Sequence, residues 1–257
     1  MKLLLLLFLA GPTAFAKIKS EVVEYKSGDT VLEGSLVYDT ALTKNRKLPG
    51  IVVVHDWMGV GEYVQTRAEQ LAASGYVAFV ADIYGKGVHP KDVKEAGTLA
   101  GKYKADRKES RARANAAYEI LKNNKMVDAN KISAMGYCFG GMVVLEMARM
   151  GLPLAGVVTF HGVLAAASPE DAKNIKTKLL ILHGAIDPFV KAEEVSQFQK
   201  ELDAAGVNYE FVAYSGAVHA FTEKHVGSDA KSGAAYNEQA DRRSFLAMQN
   251  FLSEVTK

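Results

Sequence analysis

The hexapeptide Gly136-Tyr137-Cys138-Phe139-Gly140-Gly141 decides how the rest of the chain is read. Ahead of it, residues 131–137 have strand character, and behind it residues 140–150 read as an apolar helix. A strand that turns sharply into a helix, with glycine two residues before and two after a nucleophilic side chain, is the arrangement of a nucleophile elbow. The turn is so tight that the flanking positions cannot carry side chains, and the nucleophile projects above the sheet. Here the nucleophile is a thiol. It stands at a helix N-terminus, whose partial positive charge favours a thiolate. A lone cysteine is ordinarily buried packing; its glycine neighbours are what single out Cys138.

Outward from this motif the chain alternates strands and helices. Residues 21–25 and 31–38 alternate apolar and polar positions as an antiparallel hairpin, with Ser27-Gly28-Asp29 as the turn. Residues 50–54 are a run of apolar, mostly β-branched residues, as in a strand buried on both faces. Residues 63–74 read as a helix ended by Gly75, and residues 76–81 as the next buried strand. Residues 85–105 are rich in Gly and Lys and read as a loop or partly helical excursion, with 86–105 as a candidate lid. A long helix is expected over 106–123, strands over 154–160, 179–182 and 209–214, and helices over 192–205 and 234–255. Strands alternating with helices imply a mostly parallel sheet covered on both faces, with the first hairpin adding antiparallel strands. Ligands of such sheets bind beyond the carboxyl ends of the strands.

Two further residues fall at that rim. The strand at 179–182 runs into His183-Gly184-Ala185-Ile186-Asp187-Pro188, and the strand at 209–214 is followed by Ser215-Gly216-Ala217-Val218-His219. Alone, Asp187 reads as a turn residue and His219 as structural. In the order nucleophile, acid, histidine, all at strand ends, they form a catalytic set on an α/β-hydrolase fold. His219 would take the thiol proton, Asp187 would hold the imidazole, and Cys138 would attack an acyl carbon. The oxyanion would be met by the N–H of Phe139 and that of Trp57, in the loop His55-Asp56-Trp57-Met58-Gly59.

These motifs, with Ala81-Asp82-Ile83-Tyr84-Gly85-Lys86-Gly87 and the run Tyr214 to Phe221, resemble those of the dienelactone hydrolase family. The resemblance runs from about Ile51 to the C-terminus. It implies a single-domain hydrolase of small esters or lactones, of carboxymethylenebutenolidase type, working without a cofactor. It also implies that Asp56 occupies the place of a glutamate that sits against the resting thiol, one methylene shorter. Lys86 and Glu223 fall where the family's type enzyme binds its substrate's carboxylate with arginines. A glutamate there would repel an anion, so the resemblance does not carry dienelactone over as the substrate. Tyr84, Lys86, Glu223 and His225 are the candidate pocket residues.

Composition narrows the alternatives. The formal charge of +2, from 31 basic and 29 acidic residues, gives no reason to expect a nucleic-acid partner. His55, His89, His161 and His183 have no ligand spacing that supports a metal. Met1-Lys2, the apolar run 3–10 and Ala14-Phe15-Ala16 form a secretory signal, cleaved after Ala16. The apolar run is too short for a stable membrane anchor, since a span needs roughly 20 residues. The expected product is one exported domain over 17–257, periplasmic or secreted and monomeric, acting on a small molecule. Two rival readings stand beside hydrolysis. A thiol-redox protein would explain the cysteine but not Asp187 and His219. A catalytically weak or inactive relative would serve as a binding protein. A Rossmann nucleotide site is disfavoured, because residues 55–61 lack the G-x-G-x-x-G spacing.

Overall fold

The structure, a computed structural model, describes residues 17–44 and 46–257. The expected signal segment lies outside the described residues. Strands β1 (Ile18–Ser27) and β2 (Thr30–Asp39) form the hairpin in unbroken antiparallel register, closed by Gly28 at φ 58°. Strands β3 (Leu48–Val54), β4 (Val77–Ala81), β5 (Val127–Tyr137), β6 (Gly156–Phe160), β7 (Lys178–Gly184) and β8 (Tyr209–Tyr214) complete one eight-stranded sheet in the order β1-β2-β4-β3-β5-β6-β7-β8. The β2–β4 pairing is antiparallel, and every pairing from β4 through β8 is parallel.

Alternate side chains of each strand feed two apolar layers, as the twofold strand period requires. Val52 and Val54 of β3 point into a layer capped by helices α2 (Val93–Ala105), α3 (Arg107–Lys122), α4 (Phe139–Arg149) and α5 (Ala192–Ala204). Ile51 and Val53 point into the opposite layer, under α1 (Glu62–Ala73) and α6 (Glu238–Val255). A sheet covered on both sides presents its strand ends as the accessible edge, and there the chemistry collects.

One expectation is settled in favour of its second form, the partly helical excursion, and one is corrected. The excursion 85–105 is partly helical: α2 fills its second half, and the N-cap Asp92 accepts the Glu95 N–H at 2.8 Å. The helix is docked by Ala96, Ala100 and Tyr103, all buried. The last helix starts at Glu238, not Ala234, because 234–236 are committed to other backbone. The Ala235 N–H donates to the His219 carbonyl and the Tyr236 N–H to the Gly227 carbonyl, at 3.0 and 2.7 Å. Asn237 then caps α6 by accepting the Ala240 N–H.

The elbow glycines are required by contact. A Cβ on Gly136 would overlap the Gly140 carbonyl, and one on Gly140 would overlap the carbonyl oxygens of Val54 and His55. These are backbone atoms of α4 and of the carboxyl end of β3, and they cannot yield. Gly140→Ala is therefore expected to cost about 3 kcal/mol or more of stability, read as a lowered urea midpoint at unchanged slope. An unchanged midpoint would mean that α4 can shift away from β3 cheaply.

Candidate active site

Cys138 sits between β5 and α4 at φ 51° and ψ −111°, a conformation that L-residues adopt only under constraint. Its N–H donates to the Phe160 carbonyl on β6 at 3.0 Å, and its own carbonyl accepts the Gly141 N–H at 3.1 Å. The elbow is thus fixed from both sides, with the thiol partly exposed at the start of α4. Among the described residues only Cys138, His161 and Ala220 combine a side chain with positive φ. All three belong to this rim, so the backbone strain of the fold is concentrated where β5, β6 and β8 end.

Asp187 lies in the turn after β7 and His219 in the loop after β8. The His219 Nδ1–H donates to Asp187 Oδ2 at 2.8 Å, and Asp187 Oδ1 accepts the Phe189 N–H at 2.9 Å. The His219 loop is clamped by a short pairing with Ala234, its N–H donating to the Gly233 carbonyl. Burial works against a charge on His219. The Cys138 thiol and the Asp187 carboxylate overcome it and hold the imidazole up at about 10. The structure therefore brings the three sequence-predicted residues to one rim, with His219 bonded to Asp187 and Cys138 near enough to raise its charge.

The other predicted residues fall into place unequally. Phe139 is the first residue of α4, so its N–H has no acceptor within the helix. The Trp57 N–H has no acceptor among the described residues, and the Trp57 carbonyl is held by the Tyr84 hydroxyl at 2.9 Å. Asp56 is buried and accepts the Met58 N–H at 2.6 Å; burial pushes its carboxyl up. No hydrogen bond links Asp56 to the Cys138 sulfur. Lys86 is not brought to this cluster: its ammonium pairs with Glu24 and Glu33 of the hairpin. Tyr84 is buried among the rings of His55, Phe139 and Tyr103. His225 is mostly exposed, its Nε2 3.6 Å from Glu223 Oε2.

Sequence reasoning missed a buried polar network behind the imidazole. The His161 ring meets the His219 ring edge-on at 5.2 Å and shares a 2.8 Å hydrogen bond with Thr222 Oγ1. That hydroxyl also bonds the Tyr63 hydroxyl, and Arg67 donates to the Thr222 carbonyl and to Asp241 at 3.0 and 2.5 Å. Burial, then the neighbouring His219 and Arg67, drive His161 well below the ordinary imidazole range. It is a neutral support for His219. The signal available was the position of His161 at the end of β6, the same rim as Cys138. His55 is likewise buried and neutral, donating from Nδ1 to the Asp56 carbonyl and accepting the Ile83 N–H at Nε2.

Residues 38–256 match the model of the dienelactone hydrolase family. The chain belongs to that family. It is a carboxylic ester hydrolase on an α/β-hydrolase fold. A solved structure of a dienelactone hydrolase-like promiscuous phosphotriesterase from metagenomic libraries superposes with a TM-score of 0.89 at 35% identity, covering 95% of this chain and 100% of the other. A Bradyrhizobium protein named "Probable 2-oxo-3-(5-oxofuran-2-ylidene)propanoate lactonase" is 30% identical over 74% of this chain and 80% of its own length. The usf protein of Aquifex pyrophilus is 29% identical over 67% and 76% of the two chains. No helix among the described residues is long and apolar enough to cross a membrane.

Proposed function

We propose that this hydrolase cleaves a small carboxylic ester or lactone through an acyl-cysteine intermediate, with Cys138 as nucleophile, His219 as proton carrier and Asp187 as its orienting carboxylate. The observation that carries the reading is the position of His219, hydrogen-bonded at Nδ1 to Asp187 and leaving its other nitrogen for the strained elbow thiol. The thiolate adds to the acyl carbon, and the oxyanion is received by the N–H groups of Phe139 and Trp57. His219 gives its proton to the departing alkoxide, then takes one from water, and the resulting hydroxide cleaves the thioester. His161, neutral and wedged by Thr222, Tyr63 and Arg67, keeps the imidazole from tilting away. We further propose that the chain is exported and matures at Lys17, on the strength of the signal pattern in residues 1–16.

The test is direct. Protein from Lys17 onward, freshly reduced, is mixed with p-nitrophenyl acetate and quenched during turnover. Peptide mass spectrometry is expected to find one acetyl group, on the peptide that carries Cys138. Steady turnover with no acyl group on that peptide under any quench would remove the thioester from the mechanism.

A further inference from the structure

The acids near the thiol bear on which substrates can reach it. Glu223 has only 2% of its surface exposed, and its Oε1 has no hydrogen-bond partner among the described residues. The nearest nitrogen, His161 Nε2, is 3.9 Å away and already bonded to Thr222. Asp56, also buried, lies within electrostatic reach. After burial itself, Asp56 and Cys138 are what push the Glu223 carboxyl up, well out of the carboxylate range. Glu223 thus stands one ring behind His219, beyond His161, as a buried acid with a free oxygen.

The cations that the sequence offers for this rim are committed elsewhere. Lys86 is held by Glu24 and Glu33, and Arg67 by the Thr222 carbonyl and Asp241. His219 is engaged by Asp187. An anion entering here would lose its water and find no free side-chain cation to pair with, the costly way to bury a charge. The mouth, by contrast, is apolar. Ile186 and Phe189, on either side of Asp187, are 57% and 60% exposed, and the Phe189 ring meets His219 edge-on at 5.4 Å. Large apolar side chains left in water beside a reactive group mark a surface for apolar substrate atoms.

We infer that the Cys138 site takes uncharged esters and lactones bearing an apolar group and shuts out carboxylate-bearing ones, with Glu223 as the specificity-determining residue. This rests on the proposed nucleophile, and its first test does not need turnover. Cys138 is the only cysteine in the chain, so alkylation reports on this site alone. In each alkylation the thiolate displaces iodide and forms one S–C bond. Rates are measured with neutral iodoacetamide and anionic iodoacetate at pH 8. The iodoacetamide-to-iodoacetate ratio on the folded protein is expected to exceed that on glutathione by about tenfold or more. A ratio equal to or below that of glutathione overturns the inference and leaves the hydrolase reading standing.

The second test compares p-nitrophenyl butyrate with its anionic counterpart, the p-nitrophenyl monoester of glutaric acid. The neutral ester is expected to win in kcat/KM by about a hundredfold or more. Glu223→Arg supplies the missing cation and is expected to move that ratio toward the anion by at least about tenfold. Equal kcat/KM for the two esters in the wild type, or a folded Glu223→Arg with an unmoved ratio, removes Glu223 from specificity. A folded, reduced wild type inert to both esters overturns the hydrolase reading and this one with it.

Discussion

Cys138→Ala is expected to reduce kcat for p-nitrophenyl acetate by at least about 10⁴-fold, leaving only what the oxyanion donors and binding supply. The size follows from the division of labour at the rim. With the sulfur gone, no covalent intermediate forms, and His219 could only activate water from a position built to face a side chain. The variant should fold, because the demanding feature of the elbow is its backbone. The φ of 51° at Cys138 and the close approach of Gly136 and Gly140 to neighbouring carbonyls do not depend on the sulfur. Cys138→Ser is the informative companion. A hydroxyl cannot rest as an ion pair with His219, so proton transfer has to occur during attack. The expected result is activity above Cys138→Ala but down by on the order of 10²–10³ from wild type. Measuring kcat for the three proteins, with circular dichroism to show equal folding, decides it. Cys138→Ala at wild-type activity would require another nucleophile.

The parts of this site that were legible in the sequence are those set by short-range rules. β3 was visible in its β-branched run and the elbow in its glycines. Asp187 and His219 were visible because each follows a strand by a few residues. The helix α2 was hidden by Gly97 and Gly101, which interrupt a buried stripe of Ala96, Ala100 and Tyr103 that otherwise keeps helical spacing. Its start was written in Asp92-x-x-Glu95, where the aspartate accepts the Glu95 N–H and Glu95 reaches back to the Lys91 N–H. The early start expected for α6 came from helix-compatible residues whose backbone groups are taken by the His219 loop.

What could not be read is what depends on distant pairing. Arg67 meets Thr222 and Asp241 across more than 150 positions of chain, and nothing local in either segment announces the partner. Lys86 is the same lesson with opposite result. A basic residue after β4 reads as a pocket cation, yet Glu24 and Glu33 of the hairpin lie beside it once β2 pairs with β4. Glu223 was visible as a charge but not as a buried acid, because burial of a loop residue is decided by what packs over it.

Asp187→Asn is expected to cost on the order of 10³–10⁴ in kcat/KM and to change the shape of the pH profile. In the wild type Asp187 Oδ2 receives the Nδ1 proton of His219, so the opposite nitrogen is free to exchange a proton with Cys138 and the leaving group. An asparagine can present its NH₂ instead. That favours the tautomer with the proton on the wrong nitrogen, and it removes the negative charge beside the ring. The sign of the pH effect follows. Burial lowers the His219 value, but the thiol and Asp187 raise it to about 10, above the ordinary value of about 6.5. Its contribution to folding stability is then fully present below about 6.5 and is lost as pH rises through about 10. Activity that needs the imidazolium as acid should fall over the same alkaline range. In Asp187→Asn one of the raising causes is gone, so the alkaline limb of kcat/KM should move down toward neutrality. A rate loss with the limb unmoved would make Asp187 a packing residue only. An alkaline limb near pH 10 that persists in His219→Gln would belong to another group, and His219 would lose its role as proton carrier.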